Sequence, residues 1–216
     1  MDFLAKYGIQ IKDEDLLLTA LTHSSYGYEN QCDNYERLEY LGDAVLQLII
    51  SDYLYKNDKD LNEGQMSKKR ASYVCEEALA CYVKKVGYDH LIRVGNGLSG
   101  HVNDTIIADT FESVLAVIYL ECGIDACKKY IHEVVVPYIE EGYEFMYDYK
   151  TKLQELVQTD KKSLEYVLVD AQGEAHDMEF KVNVVVDGII LGTGVGHSKK
   201  EAEQKAAAAA LRKSAR

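Results

Sequence analysis

The sequence predicts a multidomain protein: an all-α domain over residues 1–147, then a small α+β domain over residues 148–216 in the order α-β-β-β-α. Three observations carry this. Apolar residues recur at three- and four-residue steps through the first part, the repeat that lines one face of a helix. After about residue 148 the repeat drops to two, that of a half-buried strand. The single proline, Pro137, leaves the helices of the first part few internal breaks.

In the first part, Leu38, Leu41, Val45 and Leu48 mark one helix and point to a core. Ile107, Phe111, Val114, Leu115 and Ile118 mark another. Gly95-Asn96-Gly97-Leu98-Ser99-Gly100 between them reads as a loop. Tyr143 to Asp148 reads as a short linker. A helix from Tyr149 to Gln158 follows, then strands over Leu164 to Asp170, Glu179 to Val186 and Ile189 to Val195. Asp187-Gly188 is a tight-hairpin pair. Ser198-Lys199-Lys200-Glu201 has the form of a capping box and opens an alanine-rich helix.

Hydrophobic residues make up 47% of the 216-residue chain and charged residues 28%, as in ordinary globular proteins. No apolar run is long enough to span a membrane. Met1-Asp2-Phe3-Leu4-Ala5-Lys6 lacks a basic region followed by a long apolar stretch, so the expected location is cytoplasmic. Cys32, Cys75, Cys81, Cys122 and Cys127 are odd in number and form no Cys-x-x-Cys pair, which argues against a disulfide framework or a zinc site. The net charge of −12 is unevenly spread. Residues 1–147 hold 13 Lys+Arg against 25 Asp+Glu, and residues 148–216 hold 11 against 11. The acidic part repels phosphate unless cations intervene, whereas the neutral part concentrates its cations locally, as at Lys199-Lys200.

The segment Asn34-Tyr35-Glu36-Arg37-Leu38-Glu39-Tyr40-Leu41-Gly42-Asp43-Ala44-Val45-Leu46 is the most informative. On a helix, Glu36, Glu39 and Asp43 share one face. No lysine four residues on offsets their repulsion, since positions 40 and 47 are Tyr and Gln. Asp109 and Glu112 form a second pair among Ile106, Ile107, Phe111 and Val114, where a carboxylate is costly without a partner. If the two helices pack together, these carboxylates converge. Such a set suits a hard divalent cation with oxygen ligands, Mg²⁺ in preference to zinc. Carboxylate-held Mg²⁺ acts on phosphates, activating water and stabilising the leaving oxygen.

Glu-Arg-Leu-Glu-Tyr-Leu-Gly-Asp-Ala-Val-Leu resembles the signature of the ribonuclease III family. Leu21-Thr22-His23-Ser24-Ser25-Tyr26 upstream and Ile107-Ala108-Asp109-Thr110-Phe111-Glu112 downstream also match, and the resemblance covers essentially the whole chain. It implies an all-α ribonuclease III-type catalytic domain, a divalent-metal endoribonuclease that cuts double-stranded RNA to 5′-phosphate and 3′-hydroxyl ends. By the same resemblance, the metal ligands are Glu39, Asp43, Asp109 and Glu112, with Asp43 and Glu112 in catalytic roles. Glu36 and Glu63 match accessory acidic positions, although ion pairs with Arg37 or the Lys68-Lys69-Arg70 run explain them equally well. Tyr40 matches an aromatic that plugs a pocket on the partner subunit, against the alternative of an ordinary half-buried tyrosine. His23 has no assigned role in the family and reads as a hydrogen-bonded structural histidine. Ala116-Val117 and Ser24 depart from the family's usual Gly-Ala and Arg; neither removes a ligand.

Residues 149–216 resemble a double-stranded-RNA-binding domain, through Tyr149-Lys150-Thr151-Lys152-Leu153-Gln154-Glu155, Gly173-Glu174-Ala175-His176 and the segment opened by Ser198. The implied RNA contacts are Thr151, Gln154, His176, Ser198, Lys199 and Lys200. Such domains read A-form shape across about 16 base pairs. The resemblance further implies Mg²⁺ with Mn²⁺ as a substitute, a two-fold homodimer, no membrane and no small-molecule cofactor. The implied substrates are ribosomal RNA precursors and structured messenger RNAs. A non-catalytic RNA binder is the competing class, but its mark is a lost ligand, and none is lost. A helical metal enzyme unrelated to RNA leaves the second domain unexplained.

Overall fold

The computed structural model describes residues 3–98, 102–143, 145, 149–159, 163–173 and 178–214. The chain divides into two compact units, Met1–Met146 and Tyr147–Arg216.

The first unit contains α1 (Glu14–Ala20), α2 (Ser24–Asn30), α3 (Glu36–Asn57), α4 (Glu63–Tyr73), α5 (Glu76–Val86), α6 (Asp104–Cys122), α7 (Ile124–Val134) and α8 (Val136–Glu140). Side-chain caps start several of them. Asp13 accepts from the Leu16 N–H, and Asn103 from the Ile106 N–H. Asn62 and Gln65 form a complete capping box on α4. Each satisfies an amide that the first helical turn leaves without a partner. α6 is apolar nearly all round, and α1, α3, α5 and α7 pack against it. Ile107, Phe111, Val114, Leu115 and Ile118 are all buried there, together with Ala116 and Val117.

The long α3 corrects one expectation. Leu38 and Val45 are buried, but Leu48 is 62% exposed. The buried series is Leu38, Gly42, Val45, Leu46, Ile49, Ile50 and Leu54. It follows the 3.6-residue repeat along the side that meets α6, and Leu48 falls beside that stripe. Within the Tyr143 to Asp148 stretch, Phe145 belongs to the core of the first unit. Phe145 is buried, with its ring 4.6 Å from that of Tyr143, 5.3 Å from Tyr138 and 5.5 Å from Tyr82. In the Gly95–Gly100 loop, Asn96–Leu98 forms a single 3₁₀ turn; Ser99 and Gly100 lie outside the described residues.

The second unit contains α9 (Tyr149–Thr159), β1 (Leu164–Gln172), β2 (Glu179–Val186), β3 (Ile189–Gly196) and α10 (Lys199–Ser214). The strands form an antiparallel sheet in the order β1-β2-β3. Asp187 (φ 47°) and Gly188 (φ 76°) close the β2–β3 hairpin, and Val186 pairs with Ile189. Two consecutive residues at positive φ are what the I′ turn of a two-residue hairpin requires. Alternate β2 residues Val182, Val184 and Val186 face a small core made with Leu153 and Val157 of α9 and with Ala202, Ala206, Ala207 and Ala210 of α10. α10 rests directly on the β3 backbone. A Cβ at Gly192 would lie 2.2 Å from the Ala206 carbonyl oxygen, and one at Gly194 2.2 Å from that of Ala202. Among the described residues, no helix is long and apolar enough to cross a membrane.

Candidate active site and RNA-binding surface

α3 carries Glu36, Glu39 and Asp43; α6 carries Asp109 and Glu112. The two helices cross closely because of Gly42. A Cβ there would lie 1.8 Å from the Glu112 carbonyl oxygen and 2.4 Å from its carbonyl carbon. Only a residue without a side chain lets α3 approach the α6 backbone at Glu112, and the next residue on α3 is Asp43. The glycine stands in plain sight in the sequence, yet its function as the contact point shows only when α6 is in place.

The carboxylates act on one another electrostatically. Burial, followed by the charges of Asp43, Glu39 and Asp109, pushes the Glu112 carboxyl up from 4.5 to about 8. Burial also raises Glu39, with further contributions from Asp109, Glu36 and Asp43. Asp109 is raised by burial but drawn back by a hydrogen bond from Tyr35 and by nearby His23. Asp43, which is exposed, accepts a 3.2 Å hydrogen bond from Gln47. Among the described residues, no Lys or Arg forms an ion pair with Glu39, Asp43, Asp109 or Glu112. Among the described residues, the cluster therefore holds its negative charge without a Lys or Arg partner.

Two participants were not singled out by sequence reasoning. The Tyr35 hydroxyl donates to Asp109 Oδ2 at 2.9 Å. Glu76, at the start of α5, adds its charge to the surroundings of Asp109 and accepts from the Thr105 hydroxyl at 3.0 Å. Tyr35 directly precedes the signature segment, but its partner lies 74 residues on, so no local signal pairs them. His23 is structural: its Nδ1 accepts the Ser25 N–H at 3.1 Å and caps α2.

The remaining acidic candidates separate. Glu36 is exposed at the start of α3 and acts on Glu39 and Tyr35. Glu63 heads α4, accepts from the Ser67 hydroxyl at 3.1 Å, and is not among the charges acting on Glu39, Asp109 or Glu112. The ion pairs open to these two in the sequence do not form among the described residues: Lys69 pairs with Asp58 at 2.8 Å, and Arg70 donates to the Ser51 hydroxyl. Tyr40 is 83% exposed, not half-buried. It precedes Leu41, which with Ala44, Leu48, Tyr119, Leu120 and Ile124 lines an open apolar groove of about 700 Å³.

In the second unit, Thr151 is half-buried and Gln154 exposed on α9. Ser198, Lys199 and Lys200 are exposed at the start of α10, where free N–H groups and the helix dipole favour anions. Among the described residues, neither lysine is in an ion pair. The cap differs in detail from the expected box. Ser198 Oγ accepts the Glu201 N–H at 3.1 Å, but Glu201 returns to the His197 N–H at 2.8 Å and also binds Lys205. His176 lies outside the described residues.

Whether the acidic cluster suits a divalent cation turns on its donors. Among the described residues, no three Asp, Glu, His or Cys groups stand close enough together to ligate one ion as they are. Mg²⁺ does not need such a cage, because it keeps several waters and is held through one or two carboxylates. A set of oxygen donors with uncompensated negative charge fits it.

An acidic helical unit joined to an α-β-β-β-α unit with a cationic helix start defines a class: a nuclease domain coupled to a duplex-RNA-binding domain. Residues 13–139 match the family described as Ribonuclease-III-like, and residues 149–214 match the double-stranded RNA binding motif. Ribonuclease 3 of Streptococcus thermophilus is 45% identical over 213 residues, covering 95% of this chain and 93% of its own. That of Lactiplantibacillus plantarum is 41% identical over 210 residues, with 94% and 91% covered. A solved structure of the nuclease domain of ribonuclease III from Campylobacter jejuni aligns with a TM-score of 0.57 at 30% identity, over 66% of this chain and 96% of that one. The chain belongs to the ribonuclease III family and is a ribonuclease III-type endoribonuclease.

Proposed function

We propose that the enzyme hydrolyses backbone phosphodiesters of double-stranded RNA in a Mg²⁺-dependent reaction, with Mn²⁺ able to substitute, leaving 5′-phosphate and 3′-hydroxyl ends. The observation that carries this is the gathering of Glu39, Asp43, Asp109 and Glu112 across the α3–α6 crossing without a protein counter-charge among the described residues. Those four residues would hold the cation. When bound, it supplies charge neutralisation at the phosphate and lowers the cost of activating water. Asp43 and Glu112 orient the attacking water, which enters in line at phosphorus while the 3′-oxygen leaves and is protonated. Glu36 contributes charge at the edge of the cleft, whereas Glu63, which does not act on Glu39, Asp109 or Glu112, is given no part in it.

The second domain supplies the grip on the duplex. Thr151, Gln154 and His176 reach into the minor groove, and Ser198, Lys199 and Lys200 meet phosphates. One cluster per chain serves one strand, so two strands call for a two-fold homodimer. Exposed Tyr40 and the apolar groove beside it offer the surface for that partner. The Campylobacter jejuni neighbour is described with a region involved in dimer formation of its nuclease domain. The domains proposed are 1–147 and 148–216, the location cytoplasmic, and the substrates ribosomal RNA precursors and structured messenger RNAs.

The test uses long duplex RNA with Mg²⁺, comparing wild type with Glu112→Gln. Wild type should release short duplexes that accept a 5′ label only after phosphatase treatment. Glu112→Gln should bind the RNA and cut it more than about 100-fold more slowly, beyond the loss usual for a residue that only supports a metal ligand. Cleavage that persists in EDTA would overturn the cation dependence. Sedimentation should report twice the chain mass.

A further inference from the structure

We infer that the Tyr35 hydroxyl is a positioning group for the active site: it holds one oxygen of Asp109 so that the other is presented to the cation. The inference rests on reading the acidic cluster as the cation site.

Tyr35 is among the best-anchored side chains near the cluster. It is 3% exposed and precedes the first turn of α3. Its N–H donates to the Thr22 carbonyl at 2.9 Å, and its own carbonyl accepts the Glu39 N–H at 2.8 Å. Its ring packs edge-on against His23, with centroids 5.7 Å apart. His23 is itself fixed. Its N–H donates to the Arg93 carbonyl, and its Nδ1 lies 2.7 Å from Ser25 Oγ. That oxygen also accepts the Gly95 N–H at 2.9 Å, and because Nδ1 accepts the Ser25 N–H at 3.1 Å, the Ser25 hydroxyl donates to Nδ1 and the histidine proton sits on Nε2. A continuous set of contacts thus runs from the Gly95 backbone through Ser25 and His23 to Tyr35. It ends on Asp109 Oδ2 at 2.9 Å.

The chemistry explains why the anchor is a tyrosine. A carboxylate has two oxygens, and binding one of them fixes its rotation and leaves the other for a metal. Groups that hold a metal ligand in this way typically change metal affinity or activity by 10–100-fold when removed. A lysine or arginine in this place would also hold Asp109, but its charge would neutralise the cluster and oppose cation binding. A hydroxyl orients the ligand and leaves the net charge intact. Among the described residues, Tyr35 is the hydrogen-bond partner of Asp109, and no ion pair reaches that carboxylate.

The test uses the full chain without RNA. Mn²⁺ binding is followed by the electron-spin-resonance signal of free Mn²⁺ for wild type, Tyr35→Phe, Asp109→Asn and the double variant. Tyr35→Phe should weaken Mn²⁺ binding by about tenfold. Asp109→Asn should weaken it further, and adding Tyr35→Phe to Asp109→Asn should cost nothing more. In cleavage assays, the Mg²⁺ needed for half-maximal rate should rise for Tyr35→Phe while the KM for duplex RNA at saturating Mg²⁺ stays the same. Wild-type Mn²⁺ affinity in Tyr35→Phe, alongside weakened affinity in Asp109→Asn, would overturn the positioning role alone. Wild-type affinity in Asp109→Asn would overturn the cation reading and this inference with it. A second measurement avoids any folding defect: 3-fluorotyrosine placed at position 35 of the otherwise native chain should show a ¹⁹F shift on adding Mg²⁺. The shift should vanish with Asp109→Asn, and a resonance indifferent to Mg²⁺ in the native chain would overturn the positioning role.

Discussion

The two units solve opposite electrostatic problems in opposite ways. The nuclease unit gathers like charges, half-buried at Glu39, Asp109 and Glu112, and tolerates their repulsion at the α3–α6 crossing. The RNA-binding unit puts Lys199 and Lys200 in solvent at a helix start, where the backbone already attracts phosphate. Both depend on glycines that let two backbones touch. Gly42 brings α3 onto Glu112, and Gly192 and Gly194 bring α10 onto β3. In the first unit the close contact builds the chemistry itself; in the second it builds only the platform under a surface that secondary structure alone arranges. A site made of repelling charges must be enforced by tertiary packing, whereas a site made of solvated cations needs only a stable helix.

That difference can be broken experimentally, and the largest effect belongs to the glycines. Gly42→Ala forces a methyl group into the Glu112 backbone, and overpacking of this kind costs up to about 3 kcal/mol. Calorimetry should show the nuclease unit's Tm falling by about 10 °C, with cleavage lost even where the protein stays folded. Gly194→Ala should lower the melting of the RNA-binding unit comparably and weaken duplex binding, while Mn²⁺ binding to the nuclease unit stays as in wild type. Equal loss of Mn²⁺ binding in both variants would erase the distinction between the units.

A smaller effect is expected at the helix start. Replacing Lys199 and Lys200 together by Ala should weaken duplex-RNA binding by about tenfold near physiological salt. It should also reduce the slope of log affinity against log salt by about 1 to 2, in titrations at several salt concentrations. The variant should bind Mn²⁺ unchanged. An unaltered salt slope would remove these lysines from the phosphate contacts.

The smallest effect is a pH dependence of folding without metal. The Glu112 carboxyl sits at about 8 in the folded chain against an ordinary 4.5, so between those values the folded state holds a proton that the unfolded state has released. Stability from this group is therefore complete below about 4.5 and is lost as pH rises toward 8. Because solvent screens a partly exposed cluster, only about 1 kcal/mol of this is expected, and thermal melts in EDTA should show Tm decreasing by about 3 °C across that window. Glu112→Gln should flatten the curve. A wild-type Tm rising with pH through the window would contradict the burial of this carboxylate.

Much of this was legible in the chain. The switch of hydrophobic period near residue 148 separates the helical unit from the strands. Asp187-Gly188 announces its hairpin, and Ser198 announces the start of α10, although Glu201 returns to His197 and not to Ser198. The four carboxylates were legible as two pairs on two helices. The exposure of Leu48 was not, because a period identifies a stripe without saying which edge of it the neighbouring helix covers. The pairing of Tyr35 with Asp109 and the burial of Phe145 were likewise beyond local reading, since each depends on where distant chain returns.

By itself, then, the sequence determined the elements, their order, the unequal division of charge and the donor types available for a cation and for phosphate. These follow from forces acting within a few residues: helical and strand periodicity, caps, turn conformations and net charge. The tertiary structure alone decided that Gly42 meets Glu112, that Tyr35 holds Asp109 and that Glu76 joins the surroundings of the cluster while Glu63 does not. Those are contacts across tens of residues, set by which helix faces pack without a gap, and no pattern along the chain encodes the distance at which two separate helices come to rest.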